Sequence, residues 1–329
     1  PWNPEDNGYI STSTGIWKST DLTSNSPTFT NILTIAEIES ELSAGVVELY
    51  KIICSINVRD YVVFFFRIGT NVYCGRSYDG GATWAYTTVG VSGTGGWFGA
   101  ADYVPHLVNG NIRLYVAHSN PSGGGGTPWG KLTRSDDGGA TWNAPLLFGP
   151  GSAGQQLLPH EIHCPYHGNE NGDTAYVYSF GGFGTGINGL WRTTNGGSSI
   201  AHVAENTGSE IFTRRGSMQT YTLDSTKGNR WRVNNAMYTT TNSWASETLA
   251  SMTGYIGSGG AAGAGGFPVN GDQYYAITLG VAGGIIVSTD SGETWINKTG
   301  NWKEAMGIAG GSAAISGIGV IVPVWVAET

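Results

Sequence analysis

The chain has 329 residues, 24 acidic against 16 basic side chains, a net charge of −8, and 53 Gly beside 12 Trp, 16 Tyr and 10 Phe. So acidic a surface repels phosphate backbones and excludes nucleic acid as a partner, and no stretch reaches the ~18 apolar residues of a membrane-spanning helix. Three cysteines, Cys54, Cys74 and Cys164, allow at most one bridge and show no zinc-finger spacing.

Taken in order, the predicted elements are short strands between tight turns, the pattern that many Gly and aromatic residues favour. The N-terminal GYISTSTGIWKSTD is predicted to give one strand. YKIICSI, YVVFFFRI and NVYCGRS follow, then AYTTVG after a turn. The next unit reads YVPHLV, IRLYVAHS and GKLTRS, and the one after it IHCPYH, TAYVYSF and GLWRTT. Near the end come QYYAITLG, GIIVSTD, GSAAISGIG and VIVPVWVAE. So many glycines suit long helices badly.

One phrase recurs. It reads SYDGGATW over 77–84, SDDGGATW over 135–142 and STDSGETW over 288–295. Degenerate copies place Asp21, Asn195 and Asn242 in the Asp position, so successive copies stand 58, 58, 58, 47 and 48 residues apart. Four short strands per unit of this length are the mark of a propeller blade. The expected fold is all-β, a six-bladed β-propeller forming a single domain over residues 1–329. Its closing blade is shared by the N- and C-terminal strands, which hides the sheet edges.

The phrase resembles the Asp box (BNR repeat), S-x-D-x-G-x-T-W, of the sialidase-like superfamily. Ser77, Asp79, Gly81, Thr83 and Trp84 match it, as do Ser135, Asp137, Gly139, Thr141 and Trp142, and Ser288, Asp290, Gly292, Thr294 and Trp295. The resemblance implies a six-bladed propeller with boxes on the turn between third and fourth strands, away from the active face. Short Ser and Asp side chains there bond nearby backbone amides, so the boxes are expected to be structural. The resemblance also implies cleavage of sialic acid or related sugars by an arginine triad, an Asp acid/base and a Tyr–Glu nucleophile pair. The superfamily's F-R-I-P signature is answered here by FRIG, Phe66–Gly69, on a second strand ahead of a box. No catalytic residue is carried across by motif. Asp-box propellers also occur among xyloglucan-type glycosidases, uronate-polysaccharide lyases and phage tail proteins.

In a propeller the leading ends of the first strands converge on one face. The polar residues there are Glu48, Tyr50 and Lys51, then Asp102, Tyr103 and His106, then His160, Glu161 and His163, then Arg214 and Arg215. Asp102, Glu161, His160 and Tyr103 are the candidate catalytic residues. Asp102 and Glu161 would serve as the paired carboxyl groups of a glycosidase, with His160 or His163 tuning the acid. Arg214, Arg215 and His163 are candidate substrate ligands, the arginines for a carboxylate or sulfate. Trp97 and Trp129 are candidates for stacking on sugar rings. The histidine spacing misses H-E-x-x-H, so no metal and no cofactor are expected.

The expected partner is a glycan or polysaccharide, and the expected activity is glycoside hydrolysis at the channel mouth. One alternative is a non-catalytic glycan- or receptor-binding propeller. Another is a lyase on a uronate polymer using His160, Tyr103 and Arg214. Low charge with abundant Gly, Ser, Thr and Asn points to an extracellular or virion-surface setting.

Overall fold

A computed structural model describes residues 7–21, 26, 28–45, 47–55, 58–91, 98–120, 129–149, 157–165, 169–181 and 189–205. Beyond these it describes 218–220, 228–231, 237–240, 242, 248–249, 251–253, 264–269, 273–277, 285–288 and 294–297. The chain divides into two compact units, Pro1–Cys164 with Glu170–Ala201, and Pro165–Asn169 with His202–Thr329. Among the described residues the strands form six sheets.

The first sheet has three antiparallel strands, β1 (Gly8–Thr12), β2 (Gly15–Ser19) and β3 (Thr30–Thr34). The second has β4 (Val47–Cys54), β5 (Val62–Ile68), β6 (Asn71–Ser77) and β7 (Ala85–Val91), side by side in chain order. The third repeats this with β8 (Phe98–Val108), β9 (Asn111–Asn120), β10 (Trp129–Ser135) and β11 (Leu146–Phe148). The fourth does so with β12 (Leu157–His163), β13 (Ala175–Gly181), β14 (Gly189–Thr193) and β15 (Ala201–Glu205).

In the second unit, β16 (Met218–Thr220), β17 (Gly228–Trp231), β18 (Met237–Thr240) and β19 (Thr248–Leu249) form the fifth sheet. The sixth contains β20 (Ser251–Thr253), β21 (Ala264–Val269), β22 (Gln273–Ile277), β23 (Ile285–Ser288) and β24 (Thr294–Asn297). Its β20 lies parallel to β24, outside the hairpin series, and covers an edge that would otherwise offer unpaired backbone groups.

One expectation is corrected. The N-terminal stretch makes two strands, β1 and β2, because Ser13 and Thr14 turn the chain back. A helix, α1 (Ile35–Leu42), follows β3. Thr34 caps it: its Oγ1 accepts from Glu37 N at 3.2 Å, while Glu37 Oε2 accepts from Thr34 N at 2.7 Å. Ser43 ends it in the left-handed region at φ 49, and Ile38 is its buried residue.

In the first unit, core side chains sort by strand alternation. On β5, Val62, Phe64 and Phe66 pack with Tyr9, Ile16 and Leu33 of the first sheet, while Val63 and Phe65 pack with Leu114 and Val116 of the third. Both faces of β5 are therefore covered, which is why it reads as a continuous apolar run. Tyr115, Ala117 and Leu132 join Ile162, Val177 and Trp191 of the fourth sheet in a further cluster. All three cysteines are buried and free.

The recurring phrase forms the turns β6–β7 and β10–β11. Ser77 Oγ donates to Asp79 Oδ1 at 2.7 Å and accepts from Gly81 N at 2.8 Å. Asp79 accepts from Thr83 N at 2.8 Å and from Thr83 Oγ1 at 2.6 Å. Ser135, Asp137, Gly139 and Thr141 make the same four bonds at 2.8, 2.8, 2.8 and 2.6 Å. In the β14–β15 turn, Thr193, Asn195, Gly197 and Ser199 form the same set with an amide in place of the carboxylate, the fourth bond reversed so that Asn195 Nδ2 donates to Ser199 Oγ. Gly81 holds φ +94, and a Cβ there would stand 2.4 Å from Ile32 Cδ1, so the turn requires glycine.

The residue before each phrase ties adjacent sheets together. Lys18 Nζ donates to Gly80 O at 3.1 Å, Arg76 Nη1 to Gly139 O at 3.2 Å, and Arg134 Nη1 to Gly196 O.

Candidate functional site

Gly138 N donates to Ile112 O at 2.8 Å, so the phrase turn lies beside the start of β9 and the end of β8. The first halves of β4 and β8 consequently sit toward the opposite end of their sheets. Asp102 and Tyr103 stand at the middle of β8, in register with Arg134 and Ser135 where the phrase begins, inside a strand longer than the sequence pattern suggests.

Asp102 shares a face of β8 with Ala100 and Val104, which pack toward the fourth sheet. Its Oδ2 accepts from Cys164 N at 2.8 Å. Burial pushes its carboxyl up to about 6, against opposing pulls from the Cys164 N–H and the Lys51 charge. Tyr103 is on the alternate face, packed against the cluster containing Ile53 and Ala101. These two candidates are therefore not brought onto one face.

Glu161 and His163 alternate with Ile162 and Cys164 on β12. Ile162 and Cys164 belong to the cluster that Asp102's face meets, so Glu161 and His163 occupy the far face. Burial lowers His163 to about 4. His160 and Trp129 are described as strand positions without their side chains. Trp97, Arg214, Arg215, Asp290 and Gly292 lie outside the described residues, as do the side chains of Ser288 and Trp295.

A polar group that the sequence did not assemble stands on the neighbouring sheet. Glu48 Oε2 accepts from Tyr50 OH at 2.7 Å and from Arg67 Nη2 at 2.6 Å, and the guanidinium lies 6.0 Å from the Tyr50 ring centroid. The Tyr50 hydroxyl and the Arg67 charge hold the Glu48 carboxyl below the usual range, the hydroxyl contributing most, so it is ionised. Glu48 and Arg67 are cross-strand partners only because the pairing slips by one residue between Leu49 and Lys51. Regular pairing from Cys54↔Val62 would place Leu49 opposite Arg67.

Among the described residues no cluster of His, Cys, Asp and Glu suits a metal ion, and no helix is long and apolar enough to cross a membrane.

The chain matches no protein-family model and no curated protein. It is similar to solved structures at low identity. For the Niastella koreensis GH74 enzyme the identity is 12%, the coverage 86% of this chain and 50% of that one, and the TM-score 0.35. For the Malassezia sympodialis allergen Mala s 1 the values are 11%, 73%, 75% and 0.47. For the NanB sialidase of Streptococcus pneumoniae they are 10%, 74%, 58% and 0.43. The chain thus spans about half the length of the GH74 enzyme it resembles. At these scores the likenesses assign no residue and no substrate to this chain.

Proposed function

We propose that the chain is a six-bladed β-propeller acting on an extracellular or cell-surface glycan as a glycoside hydrolase. Six copies of the phrase, each closing the turn before a sheet's last strand wherever that turn is described, support the blade reading. Among the described residues the first sheet has one strand fewer than the three that follow it. On this reading a C-terminal segment joins the first sheet and completes a closing blade within a single domain over residues 1–329.

The observation that carries the catalytic reading is Asp102. A carboxyl lifted to about 6 is partly protonated in mild acid, which suits a general acid for the glycosidic oxygen. The second carboxylate is assigned to Glu48 on the adjacent sheet, which is ionised, because Glu161 of the expected pair stands on the far face of β12. Trp97, Trp129, Arg214 and Arg215 remain candidates for holding sugar rings and their anionic substituents.

A second reading, a non-catalytic glycan- or receptor-binding propeller, is favoured by the same bond that engages Asp102 with Cys164 N, since a latch needs no substrate.

The deciding experiment is a glycan array followed by product analysis on whatever is retained. Under the hydrolase reading Asp102→Asn abolishes turnover and keeps retention, and Glu48→Gln or Glu161→Gln identifies the partner. Retention without products from the unsubstituted chain leaves the binding reading standing. An unsaturated, ultraviolet-absorbing product would instead favour the lyase alternative.

A further inference from the structure

We propose that His118 is an acid-sensitive latch between the second and third sheets. Its side chain is completely buried, and among the described residues neither ring nitrogen has a hydrogen-bond partner. It stands on the face of β9 that carries Leu114 and Val116, which pack against the second sheet. Nε2 is 3.5 Å from the point a Cβ on Gly90 of β7 would occupy.

Among the described residues, the groups around it offer a new proton no counter-ion. β10 places Lys131 directly across the strand pair, and on β8 the paired backbone position is 98. β7 contributes Gly90 and the buried Val89. The charged residues in Gly90's cross-strand row, Glu48 and Arg67, are engaged with each other. A neutral imidazole is tolerated in this seam, whereas an imidazolium would be a buried, unpaired cation beside an ammonium group. Burial, reinforced by the Lys131 charge and only weakly opposed by the Ser119 backbone, lowers His118 from 6.5 to about 4. The folded seam therefore rejects the proton, and its stability is complete above pH 6.5 and lost as the pH falls toward 4. Relief comes from separating β7 from β9, which lets water reach the ring.

Hydrogen exchange on the full chain between pH 7 and 4, corrected for intrinsic exchange, tests this. The opening equilibrium of β7 and β9 amides should rise about tenfold per pH unit below 6.5, to at most about 300-fold at pH 4, while β1 and β2 change less. His118→Phe, of similar size and without a proton to accept, should flatten the response in β7 and β9. His118→Gln serves as the second variant should the first fail to fold, and should be flat too. The proposal is overturned by a flat response in the unsubstituted chain, by an equal rise in β1 and β2, or by persistence of the rise in either variant.

Discussion

Arg76 Nη1 on β6 donates to the carbonyl of Gly139 in the next sheet at 3.2 Å, and Lys18 and Arg134 do the same one sheet earlier and later. The cations are 58 residues apart, the spacing of the phrase itself, and Arg192 continues the series. A unit of this chain therefore encodes both its own turn and its grip on the following unit's turn. In the first four sheets the phrase-bearing turns are thereby committed to inter-sheet bonds.

The phrase predicts its own tolerated substitution. Asp79→Ala removes the acceptor for Thr83 N, Thr83 Oγ1 and Ser77 Oγ and is expected to cost about 1–2 kcal/mol in urea denaturation. Asp79→Asn should cost about half that or less, because Asn195 already makes the equivalent bonds in the β14–β15 turn. Equal losses for both variants would show that the charge, not the bonding pattern, holds the turn.

Arg113 is a buried junction. Its Nε donates to Asp136 Oδ1 at 2.6 Å, and its Nη1 donates to Asp173 Oδ1 at 2.8 Å and to Asn171 O at 2.9 Å. Arg113→Ala strands these acceptors across the third and fourth sheets. Since both carboxylates are partly exposed, the expected loss is about 2–3 kcal/mol, at the low end for a broken buried pair. Chemical denaturation checks it, and a loss within about 0.5 kcal/mol, the ordinary range for a surface substitution, would contradict the junction.

Asp102 gives a pH dependence of opposite sign to the histidines. Its folded-state value is raised from 3.8 to about 6, so its stabilising contribution is full below 3.8 and lost as the pH rises through 6. The lost contribution is at most about 3 kcal/mol. Asp102→Asn keeps an oxygen for Cys164 N and removes the titration. The difference in denaturation midpoint between the two chains should therefore shift steadily in favour of Asn from pH 4 to pH 7, and a constant difference refutes the raised value.

His163 works in the reverse direction. Lowered from 6.5 to about 4 by burial, it supports the fold fully above pH 6.5 and progressively less down to pH 4. His163→Gln should lose this dependence when midpoints are followed over that range. Because His163 lies on the fourth sheet and His118 on the third, exchange in β12 and β13 separates its effect from the latch.

The sequence by itself determined the repeat and the local chemistry of its turns. Spacing and residue type alone place Ser77, Asp79, Gly81 and Thr83 within bonding range, because all four fall inside one seven-residue turn. The sequence reading did not mark the helix that Thr34 and Glu37 cap, because a single two-turn helix leaves little trace in a chain patterned as short strands. What only the tertiary structure decided are the contacts that depend on register and on facing sheets. A one-residue slip near Tyr50 makes Arg67 the partner of Glu48. Alternation on β12 turns Glu161 away from the face that meets Asp102, and the buried seam leaves His118 without an acceptor. These depend on long-range pairing, where a shift of one residue exchanges the two faces of a strand, and local sequence cannot encode that choice.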